Sequence, residues 1–228
     1  GCFWLVLPAK ASGTAMPPLA LRALARDLRR VAAPACVGFL MAWGQYVLLT
    51  FTIPMLHLGG GMAVTLAGVV LAMAQVGGGI GRTGLGFISD RLHGRRDGVL
   101  AVTAGAGVAL ALLVAALPLR LPLAADLALW LGLGITMVGW NALIITWAGE
   151  RVPPHHTGAA IGLTTSCILC GAIVSAPVVG TLIQATHSYA SAWLALAAVL
   201  LLACGILTWG VQHRPAEQPD AGEMYLAD

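Results

Sequence analysis

Charge is the scarcest property of this chain. Only 9% of its 228 residues are Asp, Glu, Lys or Arg, while 59% are hydrophobic. A water-soluble domain carries roughly 25% charged residues, so composition excludes a soluble fold. Partnered cysteine is missing too. Cys2, Cys36, Cys167, Cys170 and Cys204 all lie in apolar surroundings, with no His or Asp at ligand spacing. That excludes a disulfide framework and a metal site. Cys167-x-x-Cys170 has the spacing of a redox or metal pair, and reads here as small residues that let two helices approach. Catalytic groupings are absent as well: no paired carboxylates, no His-rich set, and no nucleophile with a base at useful spacing. The chain is therefore not read as an enzyme. Gly79-Ile-Gly81-Arg-Thr-Gly84 matches G-x-G-x-x-G, but no strand precedes it and no βαβ unit contains it, as dinucleotide binding requires. No cofactor and no nucleic-acid partner is expected.

What is present is long apolar runs. A membrane-crossing helix needs about 20 apolar residues. Six such runs are expected, at about 31–56, 62–89, 98–118, 124–149, 157–185 and 190–211. This predicts an all-α membrane protein with a six-helix domain over 31–211. Connections are short, so sequential helices should be antiparallel neighbours. Residues 1–7 are neither a signal peptide nor a full span. They read as the tail of a preceding transmembrane helix, so the chain reads as a fragment. Residues 8–30 are a basic linker, in which Arg22, Arg26, Arg29 and Arg30 would share one face of a short helix. That segment is either a surface helix on the membrane or a solvated linker. Residues 212–228 form a polar tail, expected to be disordered.

The few charges are unevenly placed. With the linker on the cytoplasmic side, Lys10, Arg22, Arg26, Arg29, Arg30, Arg91, Arg95, Arg96, Arg151 and Arg214 all fall on that side, and Arg120 alone falls opposite. Cytoplasmic loops of membrane proteins carry such an excess. Glycine is abundant, 29 residues, and in lipid it lets helix backbones approach closely. Gly77-x-x-x-Gly81, Gly158-x-x-x-Gly162 and Ala101-x-x-x-Gly105-x-x-x-Ala109 have that spacing.

The densest charge lies between the second and third spans, in Gly86-Phe-Ile-Ser-Asp90-Arg91-Leu-His-Gly94-Arg95-Arg96. Asp90 would be stable as an anion beside Arg91, Arg95 or Arg96, or facing a helix N-terminus. Gly86 would let a neighbouring helix come close. Glu150, near the same end of its helix, is the expected partner of the cluster.

These residues resemble the loop signature of the major facilitator superfamily, G-x-x-x-D-R-x-G-R-R, which joins the second and third helices of each six-helix half. Leu92 and His93 put two residues where the signature has one. Gly139-Trp-Asn-Ala and Pro153-Pro-His-His-Thr-Gly158-Ala-Ala-Ile-Gly162 resemble the junction of the tenth and eleventh helices of bacterial members. Pro177-x-x-Gly180 falls where that eleventh helix often bends. The resemblance implies the C-terminal six-helix half of a twelve-helix bundle. It also implies a cytoplasmic gate at Gly86, Asp90, Arg91, Gly94, Arg95, Arg96 and Glu150. A topology anchor with no switching part is the simpler alternative for that cluster.

Arg82 lies eight positions before Asp90, about 12 Å deeper along a helix axis. A charge at that depth marks a functional site by default. Three readings stand: Arg82 binds the anionic part of a substrate, pairs within the bundle, or snorkels to the interface. Gln45, Tyr46, Gln75, Trp140 and Asn141 are the candidate lining residues, since solute sites lie near the bilayer midplane. No acid is expected at mid-span. The resulting expectation is a secondary transporter moving a small solute, possibly an organic anion, by alternating access. The bacterial inner membrane is its expected place, with linker and C-terminus cytoplasmic, and the missing N-terminal half its partner. A self-contained six-span channel or scaffold acting as a homodimer is the alternative.

Overall fold

The computed structural model describes residues 26–92, 94–117 and 121–212. Residues 1–25, with Lys10 and Arg22, and residues 213–228, with Arg214, lie outside the described residues, as do His93 and Arg120. Helix α1 is Ala32–Pro54 and continues into a π turn, Met55–Gly59. Then follow α2 (Val64–Arg91), α3 (Arg96–Ala116), α4 (Leu123–Met137) and α5 (Asn141–Glu150). A 3-10 turn at Pro154–His156 leads into α6 (Thr157–Thr186), and α7 is Tyr189–Gln212. Six of these helical stretches, Ala32–Gly59, Val64–Arg91, Arg96–Ala116, Leu123–Glu150, Pro154–Thr186 and Tyr189–Trp209, are long and apolar enough to cross a membrane. The fold is all-helical among the described residues, and it is half of a twelve-helix bundle in architecture.

The fourth crossing is two helices rather than one. α4 ends at Met137 and α5 restarts at Asn141, with a turn over 138–140. The break lies where α4 meets α2 backbone to backbone. A Cβ on Gly81 would lie 2.9 Å from Gly139 Cα, and one on Gly139 would lie 2.7 Å from Gly81 Cα. A methyl on Gly77 would overlap the Leu131 carbonyl oxygen, and one on Gly134 the Ala74 carbonyl oxygen. Only glycine permits this spacing, and in lipid such van der Waals contact, not the hydrophobic effect, holds helices together. The expected Gly77/Gly81 pair is thus a packing seam. Gly158 and Gly162 differ: a Cβ added at either would meet no other element within 4 Å among the described residues.

The other extensive pairings are α3 with α7 and α1 with α6. Gly38 of α1 faces Ile168 of α6, where an added Cβ would lie 2.8 Å from the Ile168 side chain. Ala101 and Gly105 meet α7 through Cys204, whose thiol donates to the Ala101 carbonyl at 3.6 Å, while Ala109 is exposed. The shared core holds Met41, Leu48, Leu100, Leu133, Met137, Trp140, Ile144 and Leu200. Leucine, isoleucine and valine side chains such as Val102, Ile173 and Leu202 point outward, as expected of surface that meets lipid tails.

Candidate functional site

The charged loop folds around a tight reversal. Gly94 takes φ +69°, a left-handed conformation that glycine adopts without steric cost. Its N–H donates to Ser89 O at 3.0 Å, and Arg96 N–H donates to Gly94 O at 2.7 Å. The reversal delivers Arg96 as the first residue of α3, pointing back at α2.

Arg96 is the centre of the cluster. Its Nε donates to Glu150 Oε2 at 2.9 Å and its Nη2 to Glu150 Oε1 at 2.8 Å, a two-pronged fork. Its Nη1 donates to Asp90 Oδ1 at 3.0 Å and to Ser89 Oγ at 3.3 Å. One guanidinium therefore joins the ends of α2 and α5 to the start of α3. The Arg96 side chain is 13% exposed, against 67% for Asp90 and 50% for Glu150. The cation is enclosed and its acids reach water. Such forked pairing is stronger and more directional than a single ammonium contact.

The other arginines of the loop do something else. Arg91 lies over the Phe87 ring at 4.4 Å. Arg95 is exposed, beside a groove of about 390 Å³ lined by Leu85, Ile88, Leu92 and Val102. A Cβ added at Gly86 would meet no other element within 4 Å among the described residues.

The deeper candidates divide into two groups. Asn141 Nδ2 donates to Gln45 Oε1 at 2.5 Å, joining α5 to α1, with Tyr46 partly buried alongside. Trp140 is 0% exposed, and its indole N–H donates to Met137 O at 2.7 Å, so it braces the α4–α5 break from inside the core. Gln75 and Arg82 are both exposed on α2. They are seven residues apart, two helical turns, and so share one face. Gly79 and Gly86 lie on that face too, and a Cβ added at either would meet no other element within 4 Å among the described residues. Arg82 has no hydrogen bond or ion pair among the described residues, unlike Arg96.

Sequence reasoning missed the way the linker docks. Residues 26–29 form one helical turn. Asp27 is 5% exposed and its Oδ2 lies 3.0 Å from His156 Nδ1, while Arg30 approaches Asp27 Oδ1 at 3.8 Å. Val31 is buried with Ala148, Val152 and Ala160. Arg151 Nη1 reaches Arg30 O at 3.5 Å and its guanidinium lies over Trp147 at 4.6 Å. The apolar spacing of Val31 was a signal available in the sequence; the Asp27–His156 pairing, 129 residues apart, was not. Among the described residues no group of three or more His, Cys, Asp or Glu is placed to hold a metal ion.

Six crossings, a charged cluster at one end and glycine seams between helices define a multi-pass membrane protein built like half of a transporter. The profile of the Major Facilitator Superfamily matches residues 2–168, and the chain belongs to that family. An uncharacterized MFS-type transporter of Mycobacterium tuberculosis strain ATCC 25618 / H37Rv is 30% identical over 184 residues, covering 78% of this chain and 41% of the relative. One of strain CDC 1551 / Oshkosh is 29% identical over the same length, with the same coverage. The chain thus spans about two fifths of the curated relatives it matches.

Proposed function

We propose that the chain is the C-terminal six-span half of a secondary transporter that moves a small solute, an organic anion in the first instance, by alternating access. The observation that carries this is Arg82. It is exposed, unpaired among the described residues, and shares a face of α2 with Gln75 and two glycines where an added Cβ would meet no other element within 4 Å. A cation inside a span is expensive unless something meets it, and an anionic solute at a half-to-half interface would meet it. Gln45, Tyr46 and Asn141 complete the lining on α1 and α5. The Arg96–Asp90–Glu150 network is the gate at the cytoplasmic end, closed in this conformation, and the missing N-terminal half supplies the other wall. The protein resides in the bacterial inner membrane.

Uptake by the full-length transporter, measured in vesicles over a panel of anionic and neutral solutes, tests the reading. Arg82→Ala should lower uptake of anions by about tenfold or more, the loss of one charge-assisted contact, and Arg82→Lys should restore part of it. Unchanged uptake and unchanged solute range in Arg82→Ala would remove Arg82 from the site.

A further inference from the structure

The charged end of the bundle carries a groove that its own residues leave open. It lies between the end of α2 and the start of α3 and encloses about 390 Å³. Leu85, Ile88 and Leu92 form one wall, Val99 and Val102 the other, and Arg95 stands at the loop end. These walls are largely surface: Ile88 is 47% exposed, Leu92 50% and Val102 74%. Seven positions separate Leu85 from Leu92, and Arg95 from Val102, so the groove runs about 10 Å down the two helices. That is well over half of one leaflet's hydrocarbon, which is roughly 15 Å deep.

The polar groups around the groove are spoken for, with one exception. At its inner end the Thr103 hydroxyl donates to Val99 O at 2.7 Å. Arg96 is held by Glu150 and Asp90, and the Arg91 guanidinium lies over Phe87. The Arg95 guanidinium has no hydrogen bond or ion pair among the described residues. A free cation at one end of an apolar trough is complementary to an amphiphile with an anionic head and an alkyl tail. A soluble anion would leave the trough to water, and a zwitterionic lipid brings a positive group along with its phosphate. Basic recesses between membrane helices on the cytoplasmic side take acidic headgroups. Ile88 is six positions from Arg82, about 120° away around α2, so the groove is separate from the face that carries Gln75 and Arg82. We propose that the α2–α3 groove holds one anionic phospholipid of the adjacent leaflet, its phosphate on Arg95 and the upper part of one acyl chain along Leu85, Ile88 and Val102. The site does not rest on the transport reading, and no solute enters its test.

The full chain in nanodiscs of phosphatidylcholine provides the test. A small fraction of the lipid carries a photoactivatable diazirine in its acyl chain, under either a phosphatidylglycerol or a phosphatidylcholine head. After illumination, the peptides spanning 85–103 are mapped by mass spectrometry. The anionic probe should label the groove residues about fivefold more than the zwitterionic one, the worth of one arginine at an acidic headgroup. Arg95→Gln should remove that preference and Arg95→Lys should keep most of it. Arg29→Gln takes the same charge from the exposed linker turn and should leave the preference intact. Gly98 lines the groove, and a Cβ added there meets no other element within 4 Å. Gly98→Phe should therefore fill the space and lower labelling by both probes. Excess glycerol phosphate at constant ionic strength should not displace the anionic probe. Four results overturn the proposal: equal labelling by the two probes, a preference that survives Arg95→Gln, a preference that Arg29→Gln removes equally, or displacement by glycerol phosphate. The third would assign the effect to general surface charge and the fourth to a soluble anion. Absence of groove labelling by either probe would mean that protein covers the groove, and overturns it too.

Discussion

Arg96 shows how a single residue is selected from equivalents. Arg91, Arg95 and Arg96 look alike in sequence, and any of them could have met Asp90. Glu150 was legible as a partner because acids are so rare in this chain. The choice of arginine was not, because it depends on the left-handed turn at Gly94. Replacing Gly94 by Ala should cost about 1–2 kcal/mol, the penalty of a Cβ in that conformation. The unfolding midpoint reads this, and an unchanged midpoint would mean that the turn tolerates a Cβ. Arg96→Lys tests the fork itself. Lysine keeps the charge but presents one point donor in place of a planar pair. It should lose about 1–3 kcal/mol against wild type, as one partner of an enclosed charged pair goes unmet. A cysteine at Ser89 in the same background should become more reactive to a water-soluble maleimide. Equal reactivity with arginine and lysine at 96 would argue against a latch.

At the scale of elements, periodicity and length located the six crossings to within a few residues. They did not reveal that the fourth is broken, because Leu123–Glu150 is apolar enough to cross as one helix and contains no proline. The break comes from contact with α2, whose glycines draw α4 so close that Gly139 and Gly81 touch. Sequence spacing also treats Gly77/Gly81 and Gly158/Gly162 as the same motif, though only the first has a partner helix here. The two should respond in opposite ways. Gly81→Leu should abolish a stable fold, since backbone stands where the side chain would go. Gly158→Ala should leave the unfolding midpoint within about 0.5 kcal/mol of wild type, as for open surface positions. Equal damage from both would contradict the packing described. The linker is the other element that sequence did not place. Its buried Asp27 meets His156, and Arg151 reaches its backbone, while the adjacent Glu150 holds Arg96. The last turn of α5 thus carries the linker on one side and the charged cluster on the other.

For the molecule as a whole, the uneven placement of charge is the property that needs a physical account. Arg91, Arg95, Arg96 and Arg151 cluster with the linker at one end of the bundle, while the opposite end presents His187, Ser188 and Tyr189 around a hollow walled by Met55, Val114 and Leu117. Helices of this length, about 1.5 Å per residue, separate the two ends by the thickness of a membrane. Loops rich in Lys and Arg stay on the cytoplasmic side during insertion, so the Arg96 end should face the cytoplasm. Single cysteines at Arg95 and at Ser188, in a background with the native cysteines replaced by serine, decide this. In intact cells an impermeant maleimide should label position 188 and leave position 95 untouched until the membrane is opened. The reverse pattern would put the Arg96 cluster outside and end its reading as a cytoplasmic gate.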